Sequence, residues 1–125
     1  MTRALDIHLS DEQLELYEDT RALARERLQP IAATSRPCRV NRPLVRELGA
    51  AGLLPRLLSG ENEIQAMELC LIREALAREC TEAETLFGVQ GLGAYPILQN
   101  GHGALRDEWM PRVADGTAVA SFALT

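Results

Sequence analysis

A chain of 125 residues that is 46% hydrophobic and 25% charged has the length and composition of one ordinary globular domain. Its two Phe, two Tyr and one Trp are too few to suggest a β-sandwich, and the net charge of −5 gives no support to nucleic-acid binding. Because neither a basic and apolar leader nor an apolar run of membrane-spanning length is visible, a cytoplasmic protein without a membrane span is expected.

After a loose lead-in over residues 1–8, the segment LSDEQL predicts the start of the first helix. Ser10 can cap the helix while Gln13 completes a capping box, and an apolar face then continues to Ile31. Pro30 should end or bend this helix, because proline lacks the N–H that an interior turn requires. Residues 34–42, with a small arginine cluster, are expected to form an exposed connection.

The next segments are short. Asn41 is a candidate cap for a second helix over residues 43–51, which would turn Leu44, Val45 and Leu48 inward. Leucines around Pro55 predict a brief helical turn laid over the core, and residues 59–62 predict a turn.

Residues 68–101 hold the densest apolar sequence. The segment ELCLIREALAREC predicts a buried helix, since its apolar residues recur at spacings of three and four. Thr81 and Glu84 then have the spacing of a second capping box, which predicts that a new helix begins at once in a new direction.

The helix that follows contains Gly88, Gly91, Gly93 and Pro96. Relative to alanine at these positions, the four residues disfavour the helix by roughly 6 kcal/mol. Tight packing against another helix would explain the glycines, and so would an end of the helix at Gly88. A wall that lets a ligand approach the backbone is the other explanation. The residues alone favour packing.

The last part of the chain predicts a helix over residues 104–114, a turn at Asp115 and Gly116, and an extended strand over residues 118–125. A single strand cannot satisfy its own backbone. The expected organisation is therefore a helical domain over residues 1–117 and the first strand of a missing β-domain over residues 118–125, in a longer protein. The fold class predicted is all-α, a bundle of about five or six helices.

The residues alone indicate no catalytic or metal-binding cluster. His8 and His102 are far apart in predicted loops, and three cysteines without a Cys-x-x-Cys spacing are expected to be free, two of them on a buried face. The segment GLG at residues 91–93 lacks the preceding strand that a dinucleotide-binding fingerprint needs.

Three segments, LCLIREALAREC, QGLGAYPILQNG and ALRDEWMPRVADGTAVASFALT, resemble the N-terminal helical domain of the acyl-CoA dehydrogenases, which are FAD-dependent flavoproteins. The resemblance implies an acyl-CoA substrate in fatty acid metabolism, from which a glutamate base removes a proton while the flavin accepts a hydride. That glutamate lies in a C-terminal helical bundle of the family, so no catalytic residue is assigned in these residues. An electron-transfer flavoprotein as partner and a homo-oligomer, tetramer or dimer, are also implied.

The resemblance carries over to two groups of residues. Phe122, Leu124 and Thr125 match the strand end that meets the flavin, and Gly88, Val89 and Leu92 match the helix wall along the acyl chain. With the resemblance, the ligand wall becomes the favoured explanation of the glycines. An acyl-CoA oxidase, a flavin monooxygenase of the same fold and a stand-alone helical interaction module without cofactor remain the alternatives.

Overall fold

The computed structural model describes residues 9–58 and 66–125, and in these ranges every regular element is a helix. The elements, in chain order, are α1 (Asp11–Leu23), a π-helical segment (Ala24–Leu28), α2 (Gln29–Ala32), α3 (Arg42–Ala50), α4 (Leu53–Arg56), α5 (Ala66–Glu79), α6 (Thr81–Asn100) and α7 (Gly103–Ala114). Since α1, the π-helical segment and α2 follow one another without a gap, they form one long helix, and the described residues hold six helices. The predicted all-α bundle is confirmed.

The capping box predicted for the first helix is present. The backbone N–H of Gln13 donates to the Ser10 hydroxyl at 3.2 Å, and the Gln13 side chain accepts from the Ser10 N–H at 3.0 Å. Pro30 does not end the helix, which continues to Ala32. A proline ring crowds the carbonyl one turn earlier, and the wider π turn directly before Pro30 makes room for it.

Asn41 caps α3 as predicted and also holds the preceding connection in place. Its side-chain oxygen accepts from the Leu44 N–H at 3.1 Å, and its amide donates to the Ile31 carbonyl and the Ser35 hydroxyl. Gly52 follows with a φ of 78°, a left-handed conformation that suits glycine and starts α4 in a new direction.

The hydrophobic core lies where α3, α4, α5 and α6 meet the end of the long first helix. Its largest fully buried apolar side chains are Phe87, Leu28, Leu44, Leu48, Leu54, Ile72 and Leu76. Residues 1–8 and the predicted turn at residues 59–62 lie outside the described residues. No helix in the described ranges is long and apolar enough to cross a membrane.

The chain breaks between α5 and α6 at Cys80, as the sequence predicts, but without the predicted capping box. Thr81 is already helical, and the backbone N–H of Glu84 donates to the Cys80 carbonyl. The Glu84 carboxylate is instead directed to α5, where its Oε1 accepts two hydrogen bonds from Arg73. Cys70 is exposed, contrary to prediction, while Cys80 is buried, and burial raises the pKa of its thiol.

Residues 118–125 have no regular secondary structure. A β-strand is defined by pairing with a second strand, and the described residues offer no such partner. The strand predicted for residues 118–125 is therefore not formed in this chain. The division into a helical domain over residues 1–117 and a β-domain beginning at residue 118 stays a prediction.

Candidate functional site

Helix α6 carries the candidate site and runs without interruption through its glycines and its proline, from Thr81 to Asn100. The alternative that the helix ends at Gly88 is therefore wrong. Since the propensity lost at the glycines must be offset by contacts, the neighbours of each glycine show what each one is for.

An apolar groove of about 460 Å³ lies along one side of α6 and contains Gly88, Val89 and Leu92. These are the three residues that the sequence predicts for the substrate wall. Among the described residues, the lining comprises Leu57, Leu69, Arg73, Thr85, Phe87, Gly88, Val89, Gly91, Leu92 and Tyr95. Val89 and Leu92 are 40% and 55% exposed, so the groove presents apolar surface to solvent rather than to the protein's own core.

Gly91 lets α4 come close to the groove. A Cβ atom built at Gly91 would lie 2.9 Å from a terminal methyl of Leu57, which is nearer than side chains normally approach. Leu57 directly follows α4 and is itself a lining residue. The absence of a side chain at Gly91 therefore sets how far Leu57 reaches into the groove.

Gly88 lies beneath the guanidinium of Arg73. A Cβ atom at Gly88 would lie 3.4 to 3.6 Å from three guanidinium atoms, which is ordinary contact for a methyl but leaves no room for a longer side chain. Arg73 Nε and Nη2 both donate to Glu84 Oε1, at 2.7 and 2.5 Å. The ion pair thus crosses from α5 to α6 at one end of the lined stretch.

On the opposite side of α6, the side chain of Gln90 holds the segment that follows α7. Its amide Nε2 donates to the Val113 carbonyl at 3.2 Å and the Ala118 carbonyl at 2.7 Å. Its Oε1 accepts from the Ala120 N–H at 2.8 Å. Gln90 is almost completely buried, so these three bonds replace the water that the groups would otherwise bind.

Gly93 brings the same segment against the backbone of α6. A Cβ atom there would lie 2.7 Å from the Ser121 nitrogen and 2.8 Å from its carbonyl oxygen. Close packing therefore explains Gly91 and Gly93, and the ligand wall stays a prediction for Gly88.

A tight turn fixes where this segment begins. The Asp115 carboxylate accepts from the Thr117 hydroxyl at 2.6 Å and the Thr117 N–H at 2.8 Å, and these bonds lower the pKa of Asp115. Gly116 between them has a φ of 74°, which other residues rarely adopt. This turn consequently fixes the direction in which the chain leaves α7, and residues 118–120 run toward Gln90.

Phe122, Leu124 and Thr125, the predicted flavin contacts, follow the segment held by Gln90 and are all exposed. None of them lines the groove, so the structure brings the three predicted substrate residues together and leaves the three predicted flavin contacts apart from them. In the part of the chain that the structure describes, no group of His, Cys, Asp or Glu could hold a metal ion.

Residues 10–117 match the family model described as the acyl-CoA dehydrogenase N-terminal domain. The chain belongs to the acyl-CoA dehydrogenase family. It is 29% identical over 118 residues to a cyclohexane-1-carbonyl-CoA dehydrogenase of Geobacter metallireducens, an alignment that covers 90% of this chain and 31% of that protein. A cyclohexane-1-carbonyl-CoA dehydrogenase of Syntrophus aciditrophicus is 25% identical over 122 residues, covering 93% of this chain and 32% of its own length. The chain spans about a third of the length of these relatives.

Several residues of the site in this acyl-CoA dehydrogenase domain escape sequence reasoning. Arg73 and Glu84 lie on different helices, so their pairing depends on the angle between α5 and α6. Leu57 belongs to a segment whose place over α6 no periodicity reveals. Gln90 could have been identified from the sequence, because a polar residue on the apolar face of a helix is expected to form hydrogen bonds with buried groups.

Proposed function

We propose that this chain forms part of the acyl-CoA and flavin binding site of an FAD-dependent acyl-CoA dehydrogenase, which oxidises the bond between the α and β carbons of an acyl-CoA thioester. The observation that supports the proposal is the groove. Gly88, Val89 and Leu92 line one apolar surface on α6, in a chain whose family acts on acyl-CoA. Such a surface suits an acyl group, since burial of each CH₂ contributes about 0.8 kcal/mol.

The C-terminal segment is compatible with a contact to FAD. Phe122 and Leu124 expose 48% and 85% of their surface, and no backbone hydrogen bond joins residues 121–125 to the other described residues. This combination of groups suits a flat, partly polar ring system. The apolar side chains could pack on the ring, while the backbone groups and the Thr125 hydroxyl could form hydrogen bonds to its polar edge. Bound FAD would supply hydride acceptance, and these residues would hold the ring beside the acyl group. We further propose an electron-transfer flavoprotein as the electron acceptor and a homo-oligomeric, cytoplasmic enzyme.

The test is to express the complete reading frame and to assay it with cyclohexane-1-carbonyl-CoA and with straight-chain acyl-CoAs. We expect a yellow protein with stoichiometric FAD that reduces an electron-transfer flavoprotein when a thioester is added. Rapid oxygen consumption with release of hydrogen peroxide would instead indicate an oxidase. A colourless protein that neither binds nor oxidises any of the thioesters would contradict the proposal.

Replacing Gly88 by leucine in that protein should place a branched side chain in the groove and push the Arg73 guanidinium aside. We expect kcat/KM for long acyl-CoAs to fall by about tenfold or more, because overpacking commonly costs 1–3 kcal/mol. Short acyl-CoAs should be affected less, and the FAD content should not change. Arg73→Ala is the control, because it removes the guanidinium without filling the groove. An equal loss for all chain lengths would assign Gly88 to packing alone.

Replacing Thr125 by valine keeps the shape and the β-branching of the side chain and deletes its hydrogen-bond donor. If the hydroxyl contacts the flavin, FAD affinity should fall by about 0.5–1.5 kcal/mol, the net worth of a typical hydrogen bond. The reduction potential should fall as well, since the anionic reduced flavin loses more than the oxidised form. The matched control is Thr81→Val, at an exposed threonine that begins α6. Unchanged affinity and potential would remove Thr125 from the site.

A further inference from the structure

We propose that the Arg73–Glu84 ion pair makes the groove selective for uncharged acyl groups, with Glu84 withholding Arg73 from any acyl group that ends in a carboxylate. The inference rests on the proposed function, because it assumes that the groove receives the acyl part of a CoA thioester. It assigns a specificity role to two residues that lie on different helices.

Among the described residues that line the groove, Arg73 is the only charged one, so it is the group in that set that would attract an anionic ligand. Its Nε and Nη2 form the edge of the guanidinium that binds a carboxylate in a two-pronged geometry. Both atoms already donate to the same oxygen of Glu84, at 2.7 and 2.5 Å. The preferred binding edge of Arg73 is therefore occupied from within the chain.

The charges of the pair point to the same conclusion. The Glu84 side chain is only 18% exposed, against 56% for Arg73, so the carboxylate is the more deeply held partner. An incoming carboxylate could use the Nε and Nη2 edge only by displacing Glu84, and at any edge of the guanidinium it would meet the negative charge of Glu84 at close range. An uncharged acyl group meets no such repulsion, because the ion pair has no net charge and the other described lining residues are apolar apart from the hydroxyls of Thr85 and Tyr95.

Arg73 also lies against α6 beside Glu84. The guanidinium packs on the bare backbone of Gly88, one helical turn after Glu84, at 3.4 to 3.6 Å from the position of the missing Cβ. Residues four apart lie on the same face of a helix, so Glu84 and Gly88 contact the guanidinium from the same face of α6. The Arg73 side chain therefore lies across α6, with 56% of its surface exposed.

The experiment compares two CoA thioesters of equal chain length, one ending in a methyl group and one in a carboxylate, with the protein expressed from its complete reading frame. The wild type should prefer the methyl-terminated thioester. Glu84→Gln keeps the size of the side chain and its acceptor oxygen but removes the competing charge. We expect the ratio of kcat/KM, carboxylate over methyl, to rise about tenfold or more, since a charge-assisted hydrogen bond becomes available. Calorimetric binding of the two thioesters should show the same shift.

Two controls isolate the mechanism. Glu79→Gln removes a carboxylate on α5 that pairs with Arg21 on α1 and whose side chain is 16% exposed, close to the exposure of Glu84. This variant should leave the ratio of kcat/KM unchanged. Adding Arg73→Met to Glu84→Gln should abolish the gain. An unchanged ratio in Glu84→Gln, or a wild type that prefers the carboxylate, would overturn the inference while the proposed function stands. A wild type that neither binds nor oxidises either thioester would overturn the proposed function, and this inference with it.

Discussion

Replacing Gln90 by leucine should lower the free energy of unfolding by about 2–4 kcal/mol, although leucine fits the space of the glutamine. The substitution leaves the Ala118 carbonyl and the Ala120 N–H without their partner, while the Val113 carbonyl keeps the N–H of Gly116. Each buried backbone group that loses its hydrogen bond costs about 1–3 kcal/mol unless water reaches it. Urea unfolding of the protein measures the change.

The same variant should also bind FAD less tightly, because Gln90 holds the segment that leads to Phe122 and Thr125. Gln99→Leu is the matched control, since Gln99 is exposed on the same helix and its replacement should change stability by less than about 0.5 kcal/mol. Comparable stability of the two variants would show that residues 113–120 do not depend on the Gln90 amide.

Replacing Gly116 by alanine should be more damaging than the addition of one methyl group suggests. The left-handed φ of 74° costs a residue with a side chain about 1–2 kcal/mol. The new Cβ would also lie 2.5 Å from the carbonyl oxygen of Val45 on α3, which forces the two backbones apart. Overpacking of this kind adds about 1–3 kcal/mol, so a loss of roughly 3 kcal/mol or more is expected in thermal or urea unfolding.

Gly52 offers the control for that experiment. It has nearly the same φ, 78°, but nothing lies within 4 Å of the position where a Cβ would be built. Gly52→Ala should therefore show the conformational cost alone, about 1–2 kcal/mol. If the two alanine variants had the same free energy of unfolding, the close approach of the turn after α7 to α3 would make no difference to the cost of the Gly116 substitution.

The sequence predicts helices where local signals suffice. Ser10 with Gln13, and Asn41 with the N–H of Leu44, are caps that depend only on residues three positions apart. The second predicted capping box fails for a tertiary reason, because Arg73 on α5 offers the Glu84 carboxylate a stronger, charged partner than the backbone does. Pro30 fails as a helix end because a π turn absorbs its ring.

In the candidate site, too, local spacing predicts some residues and tertiary contacts determine the others. Gly88, Val89 and Leu92 share one surface because residues at these spacings must lie on one side of any helix. What encloses that surface comes from α4 and α5, and no spacing along α6 predicts Leu57 or Arg73 as neighbours. Phe122, Leu124 and Thr125 are exposed and lie outside the groove, so their role stays a prediction.

Helix α6, roughly 30 Å long, carries bare backbone on two sides within two turns. Arg73 rests on Gly88 on one side, and the Ser121 backbone would collide with any side chain at Gly93 on the other. Side chains normally form a compliant layer between backbones, because they can change rotamer to absorb a small shift, whereas closely packed backbones transmit strain. No such layer separates α6 from Ser121 at Gly93, and only the flexible arm of Arg73 covers Gly88. We therefore expect a displacement of α6 by a few tenths of an ångström in the groove to displace the C-terminal segment by a similar amount.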